Sequence, residues 1–148
     1  MLSINLETLA KSIQLEESGN FELAMRFGLD CVARVSYLLT DERMRTLLQI
    51  GLSFIHGDAT KAELHAAATE AAARARSHQG SGGIDGSGNA AVSVSFGVAA
   101  ALSGRALQAA EYAAYAAVYA YSSSAVADPE AYESEHRWQF NHLLKLTS

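Results

Sequence analysis

The sequence has one proline, one cysteine and no hydrophobic run long enough to cross a membrane. With a single proline, Pro129, little in the chain interrupts helices. A lone cysteine excludes an intramolecular disulfide, and the position of Cys31 on an apolar helical stripe favours a buried hydrophobe over a reactive thiol. The apolar run Ala90–Leu102 is shorter than the roughly 20 residues that a spanning helix needs. These absences predict a reduced, soluble protein of the cytoplasm with no membrane partner.

Two further absences narrow the class of protein. The first residues, MLSINLETLAK, lack the basic start and apolar stretch of a signal peptide. There is no excess of basic residues, since 11 lysines and arginines face 16 acids, for a net charge of −5. Nucleic acid is therefore not an expected partner. A length of 148 residues fits one domain, which buries enough surface to fold without a disulfide or a structural metal ion.

What the sequence has in abundance is alanine. Residues Asn89–Ala127 contain fifteen alanines and only two charged side chains, Arg105 and Glu111. Alanine is the best helix former, and small side chains let neighbouring helices approach closely. We predict two central helices here, separated by Ser103-Gly104. The segment VSVSFGVA within the first alternates like a strand, but a lone strand would have no partner in a helical chain, so helix is preferred.

The remaining sequence predicts helices around this centre, in an all-α, single-domain, compact bundle of about six to seven helices spanning 1–148. Residues 79–89, with five glycines, predict a flexible loop. The other helix signals are apolar periodicity, a capping box and an Asp-Pro-Glu start. They place helices at Asn5–Glu17, Phe21–Leu39, from the N-cap Thr40 to the stop residue Gly57, from Thr60-x-x-Glu63 to His78, and from Asp128 to Leu146.

No pattern typical of catalysis or cofactor binding occurs. The glycine-rich loop lacks the lysine of a phosphate-binding loop and the glutamate that closes a calcium loop. The histidines show no metal-ligand spacing, and no serine lies in a nucleophile elbow. We therefore predict no catalytic residue, no metal, no cofactor and no enzymatic activity. An enzyme site between helices is kept as a third hypothesis.

Candidate partner-binding residues are acidic. Acids concentrate at the start of the last helix and in the first turn of the third, where they also favour the helix dipole. A patch of this kind would suit a basic partner. The candidates are Asp128, Glu130, Glu133, Glu135, Asp41 and Glu42.

Aromatic residues offer a second, weaker candidate. Tyr112, Tyr115 and Tyr119 form a helical stripe for which core packing is the favoured interpretation, with an exposed binding stripe as the alternative. Trp138 is the only tryptophan, and we interpret it as a packing residue rather than a binding anchor.

The order of these segments resembles the immunity-protein family of bacterial polymorphic toxin systems, in its alanine-rich all-α type. The resemblance covers roughly 21–146, and the VSVSFGVA segment and the glycine-rich loop depart from it. The most informative matching residues are Asp30-Cys31, Asp41–Arg45, His56-Gly57-Asp58 and Trp138-Gln139, within a closing E-x-x-W-Q.

The resemblance implies a small cytoplasmic protein that neutralises a cognate toxin by binding it, and it brings no established functional residues with it. A toxin of basic surface is the partner that the acidic candidates would suit. The alternative is a structural or scaffolding domain that self-associates, as a homodimer, through small-residue helix faces.

Overall fold

The structure, a computed structural model, describes residues 2–78 and 86–148. Within these two ranges the chain forms seven α-helices and no β-strand, as the sequence predicts. Short 3₁₀ turns precede or join several of them. The helices are α1 (Ile4–Ser12), α2 (Phe21–Ala33), α3 (Glu42–Ile55), α4 (Lys61–His78), α5 (Gly86–Leu102), α6 (Ala106–Tyr121) and α7 (Glu133–Thr147).

Helices α5 and α6 lie at the centre of the fold. They pack against each other over their length, and α2 packs against both. Eleven of their alanines are buried, so their backbones lie close to neighbouring helices. Gly28 of α2 shows how close, because a Cβ atom there would lie 3.2 Å from the Cβ atoms of both Ala101 and Ala109. The predicted central pair, including a helical VSVSFGVA segment, is confirmed.

One hydrophobic core includes side chains from all seven helices. The outer helices contribute its larger members, among them Leu6, Phe27, Leu47 and Leu143, which are fully buried. Cys31 is also fully buried, as predicted, and burial raises the pKa of its thiol well above the ordinary value. Large side chains around a small-residue centre thus fill the interior.

Local polar contacts place several helix ends where the sequence predicts them. At the start of α4 the Thr60 backbone N–H donates to the Glu63 carboxylate at 2.9 Å, and the Glu63 N–H donates to Thr60 Oγ1 at 3.1 Å. These reciprocal bonds satisfy two N–H groups that the helix leaves open. Gly57 and Gly104 have φ angles of +83° and +76°, the left-handed geometry that favours glycine at a helix end.

Two helices end earlier than their periodicity predicts. The predicted helix to Glu17 stops at Ser12, because Gln14 adopts a φ of +55° and turns the chain so that Leu15 is buried in the core. The helix predicted to Leu39 stops at Ala33, where the Ser36 hydroxyl donates to the Ala33 carbonyl at 2.9 Å. Local hydrogen bonds outweigh the continuing apolar pattern at this end.

Two helix starts also differ in detail. The N-cap of α3 is Asp41 rather than Thr40, since its carboxylate accepts from the Arg43 N–H at 2.9 Å. Asp128 caps the last segment as predicted, but the turn that follows it is a 3₁₀ turn, Pro129–Tyr132, and α7 begins at Glu133.

The glycine-rich loop is shorter than predicted at its C-terminal end. Residues 86–89 form the first turn of α5, and the Asn89 side-chain amide donates to the Tyr119 hydroxyl at 2.6 Å, which joins this turn to α6. Residues 79–85 lie outside the described part of the chain. Among the described residues, no helix is both long and apolar enough to span a membrane.

Candidate functional site

Three of the six predicted binding acids lie together at the start of the last segment. Glu130 and Glu133 line a recess of about 460 Å³ between the beginning of α1 and the beginning of α7, which Phe140 also lines. Asp128 is exposed just before them. Glu133 pairs with Arg137 at 2.7 Å, and both side chains are about two-thirds exposed. The two acids and one arginine that line this acidic recess sum to a net charge of −1, and Asp128 beside it adds one more negative charge.

Glu135, the fourth acid of this segment, has a different environment. Its side chain is 12% exposed, and its two carboxylate oxygens accept from Arg34 Nε and Nη2 at 2.9 and 3.0 Å. These hydrogen bonds raise the pKa of the Arg34 guanidinium above its ordinary value. Because Arg34 directly follows α2, this bidentate pair fastens α7 to the end of α2.

The same contact region includes three of the residues on which the sequence resemblance rests: Asp30, Glu135 and Trp138. The Arg34 guanidinium lies 4.1 Å from the Trp138 ring centroid, and Trp138 stacks on His142 at 4.6 Å. His142 Nε2 in turn lies 2.7 Å from a carboxylate oxygen of Asp30. Glu135, Trp138 and Asp30 therefore belong to one polar and aromatic network between α2 and α7. The interpretation of Trp138 as a packing residue agrees with this position.

Asp41 and Glu42, the predicted acids of α3, also lie among arginines. Asp41 is 17% exposed, and a carboxylate oxygen accepts from Arg74 at 3.0 Å. Glu42 is 84% exposed and pairs with Arg45 in its own helix. The structure therefore separates the six candidates: Asp41 and Glu135 are held in contacts between helices, whereas Glu42, Asp128, Glu130 and Glu133 face solvent.

A second ion-pair network joins α3 to α4. Glu70 accepts from Arg43 Nε at 2.6 Å and from Arg74 Nε at 2.8 Å, and Arg74 extends the network to Asp41. These hydrogen bonds, first from Arg43 and then from Arg74, lower the pKa of Glu70 from 4.5 to about 2. The Asp41–Arg45 segment, another part of the resemblance, is thus a clamp between helices.

The tyrosine stripe lies at the boundary between core and surface. Tyr112, Tyr115 and Tyr119 are each half-buried, and Tyr112 stacks on Phe96 of α5 at 5.6 Å. The hydroxyl of Tyr119 finds a polar partner in Asn89. All three tyrosines line one groove that is open to solvent, so the stripe combines the packing and the exposure that the two interpretations predict.

Sequence reasoning missed a concave surface that is larger than the acidic recess. A groove of about 1030 Å³ lies between α4 and the start of α2, and Phe54 and Leu102 also line it. A signal was present, because Lys61, Ala68 and Ala72 recur at helical spacing along the face of α4 that lines the groove. The high alanine content of α4 predicts close packing inside the fold and does not by itself distinguish a buried helix face from a groove.

The described side chains do not assemble a metal centre: among residues 2–78 and 86–148, no group of three or more histidine, cysteine, aspartate or glutamate side chains is placed to hold an ion. His142 is engaged with Asp30 and Trp138, and His136 stacks on Tyr132 at 5.5 Å. The expected lack of catalytic chemistry stays a prediction.

Of the comparisons with known proteins, one gives a match. No curated protein and no solved structure matches the chain significantly. A sequence model of one family, described as "Imm-5 like putative immunity protein", matches residues 15–146. That range includes α2 to α6, nearly all of α7 and both arginine networks. The chain belongs to this family of Imm-5 like putative immunity proteins.

Proposed function

We propose that this protein neutralises a cognate bacterial toxin by binding it directly, without enzymatic chemistry. Family membership supports the general role of an immunity protein. The observation that supports a binding surface is the acidic recess, where Glu130 and Glu133 line one concavity beside Asp128. A concave surface with an excess of acids over basic residues favours a protruding basic side chain of a partner.

The recess has the chemistry of an interface rim. Glu130 forms no ion pair within the described part of the chain, and the Glu133–Arg137 pair is exposed enough for solvent to weaken it. An arginine of the toxin could therefore replace Arg137 as the partner of Glu133 at little cost. Ile4, 80% exposed between the lining residues Ser3 and Asn5, adds an apolar neighbour.

The proposed surface excludes two of the original six candidates. Glu135 and Asp41 already bind arginines of this chain, so turning them toward a toxin would break contacts between helices. The proposed toxin-facing acids are Asp128, Glu130 and Glu133, with Glu42 as a separate exposed acid.

The test uses the toxin domain encoded beside this gene. Purified toxin and immunity protein are mixed at several salt concentrations, and the dissociation constant and association rate are measured. The double substitution Glu130→Lys and Glu133→Lys is expected to weaken binding by at least about tenfold. It should also slow association, because charge reversal at the interface rim removes the electrostatic attraction that guides the toxin to this surface. The double substitution Glu16→Lys and Asp58→Lys, the same charge change at other exposed positions, is the control.

Two results would overturn the proposal at different levels. Absence of any complex with the neighbouring toxin, together with unprotected growth of cells that express both, would refute direct neutralisation. A complex that the control pair weakens as much as the recess pair would leave neutralisation in place and refute the acidic recess as its surface.

A further inference from the structure

A long groove follows one face of α4. The 3₁₀ turn Ser18–Asn20 and the first turn of α2 form its opposite side, and its volume is about 1030 Å³. Helix α4 packs on α5 and α3, which leaves the side toward the start of α2 open. The groove therefore occupies a position beside α4 where a helical bundle would ordinarily place another helix.

The dimensions fit one helix. The α4 residues that line the groove extend from Lys61 to Arg76, and fifteen steps of 1.5 Å give about 22 Å of groove length. A helix has a pitch of about 5.4 Å, so this length accommodates about four turns of a helix laid alongside α4.

The middle of the groove is apolar and small. Ala68 and Ala72, both half-buried, lie on the groove face of α4 and allow a close approach of a partner backbone. Phe21 lies on the opposite side and is 39% exposed. A Cβ atom at Gly104 would lie 2.7 Å from the Phe21 ring, so the glycine leaves the ring room to seat there. The apolar stripe of a partner helix would therefore contact apolar surface on both sides of the groove.

The two ends of the α4 face are positively charged. Lys61 and Arg76 are exposed, and neither forms an ion pair within the described residues. In a chain of net charge −5, two unpaired cations at opposite ends of one groove favour acidic groups on whatever binds there. Glu22 on the other side limits the site to a ligand with acids along one edge only.

We propose that this groove binds an amphipathic α-helix of a protein partner, with an acidic residue near each end of its apolar stripe. A second copy of this chain is a poorer occupant, since all seven described helices already contribute side chains to their own core. The groove and the acidic recess are lined by different residues, so this inference does not rest on toxin binding at the recess.

The probe is a designed peptide of about 18 residues, long enough for the groove. It has leucine and alanine at helical spacing, glutamate in its first and last turns, and a scrambled counterpart of the same composition as control. Circular dichroism verifies that both are helical. In a ¹⁵N NMR titration of the full chain, binding with a dissociation constant below about 100 μM is expected, with shifts along α4 and the start of α2.

Matched variants localise the peptide. Ala72→Glu, which fills the groove and repels glutamate, is expected to weaken binding by at least about tenfold. Ala73→Glu, the same change on the exposed neighbouring residue of α4, is expected to change it less than about twofold. The double variant Lys61→Glu and Arg76→Glu should also weaken binding.

Any one of the following outcomes would overturn the inference. The first is the absence of amide shifts with the designed peptide whose leucines and alanines lie at helical spacing. The second is equal weakening by Ala72→Glu and Ala73→Glu, or shifts confined to other surfaces. The third is concentration-dependent dimerisation in sedimentation experiments that Ala72→Glu abolishes, because the occupant would then be a second copy.

Discussion

Replacement of Glu135 by glutamine is expected to destabilise the fold by about 1.5–3 kcal/mol. Exposed ion pairs contribute about 0.2–1 kcal/mol, and removal of one partner from a buried pair costs about 3–5 kcal/mol. The Glu135–Arg34 pair lies between these limits, with side chains that are 12% and 38% exposed. Glutamine keeps the size of the side chain but removes the charge and one bidentate acceptor, so the Arg34 cation loses its main partner.

The assay is urea unfolding followed by circular dichroism, supported by thermal melts. For a chain of this size, the loss corresponds to a fall in melting temperature of about 3–12 °C. The matched control is Glu133→Gln, two residues away, whose pair with Arg137 has both side chains about two-thirds exposed. Its cost should stay below about 1 kcal/mol.

The two variants should also separate structure from recognition. Glu135→Gln is expected to bind the toxin normally once folded, whereas Glu133→Gln should weaken toxin binding and leave stability almost unchanged. Equal unfolding midpoints for both variants, at unchanged m-values, would refute the structural role of the Glu135–Arg34 pair. A loss of toxin affinity in Glu135→Gln but not in Glu133→Gln would instead show that Glu135 belongs to the toxin-binding surface.

Three further predictions concern the scaffold. The pKa of Glu70 falls from 4.5 in the unfolded chain to about 2 in the fold, so its ion pairs stabilise the protein fully above about pH 4.5, and this contribution is lost as the pH falls toward 2. In Glu70→Gln, the free energy of unfolding should therefore fall less steeply as the pH is lowered through this range. An unchanged slope would contradict the role of Glu70 in the ion pairs. Gly28→Ala should lower the free energy of unfolding by up to about 2 kcal/mol, because overpacking costs about 1–3 kcal/mol and the better helix propensity of alanine offsets only about 1 kcal/mol of it. A variant that is more stable than the parent in urea unfolding would contradict this prediction, since α2 would then have moved away from α5 and α6. Thr60→Ala should cost about 0.5–2 kcal/mol by removing the cap of α4, measured in the same way, with Thr69→Ala on the exposed face of α4 as the smaller comparison.

Local chemistry in the sequence predicted most of the helices. The capping box at Thr60, the stop at Gly57 and the break at Gly104 depend on residues within a few positions of each other, and each is confirmed. The early end of α1 at Ser12 was not predictable from periodicity, because it depends on Gln14 adopting a left-handed φ so that Leu15 enters the core.

The candidate site was less predictable because its decisive contacts are distant in sequence. Glu135 and Arg34 are 101 residues apart, and no local pattern distinguishes the largely buried Glu135 from the exposed Glu133. The last helix gives a second example. Gln139 is a polar residue that no local pattern marks for burial, yet its side chain is fully buried and its amide donates to the Ala110 carbonyl of α6 at 2.9 Å.

The alanine centre has a consequence for how this protein can diversify. An alanine side chain has no rotamers to lose on folding, whereas each buried leucine loses about 0.5–1 kcal/mol of rotamer freedom. The eleven buried alanines of α5 and α6 therefore make an interior with little freedom to repack around a larger side chain. Substitution is consequently restricted at the centre, whereas the exposed positions of the outer helices can accept new side chains, so the chemistry of the surface can change without a change of scaffold.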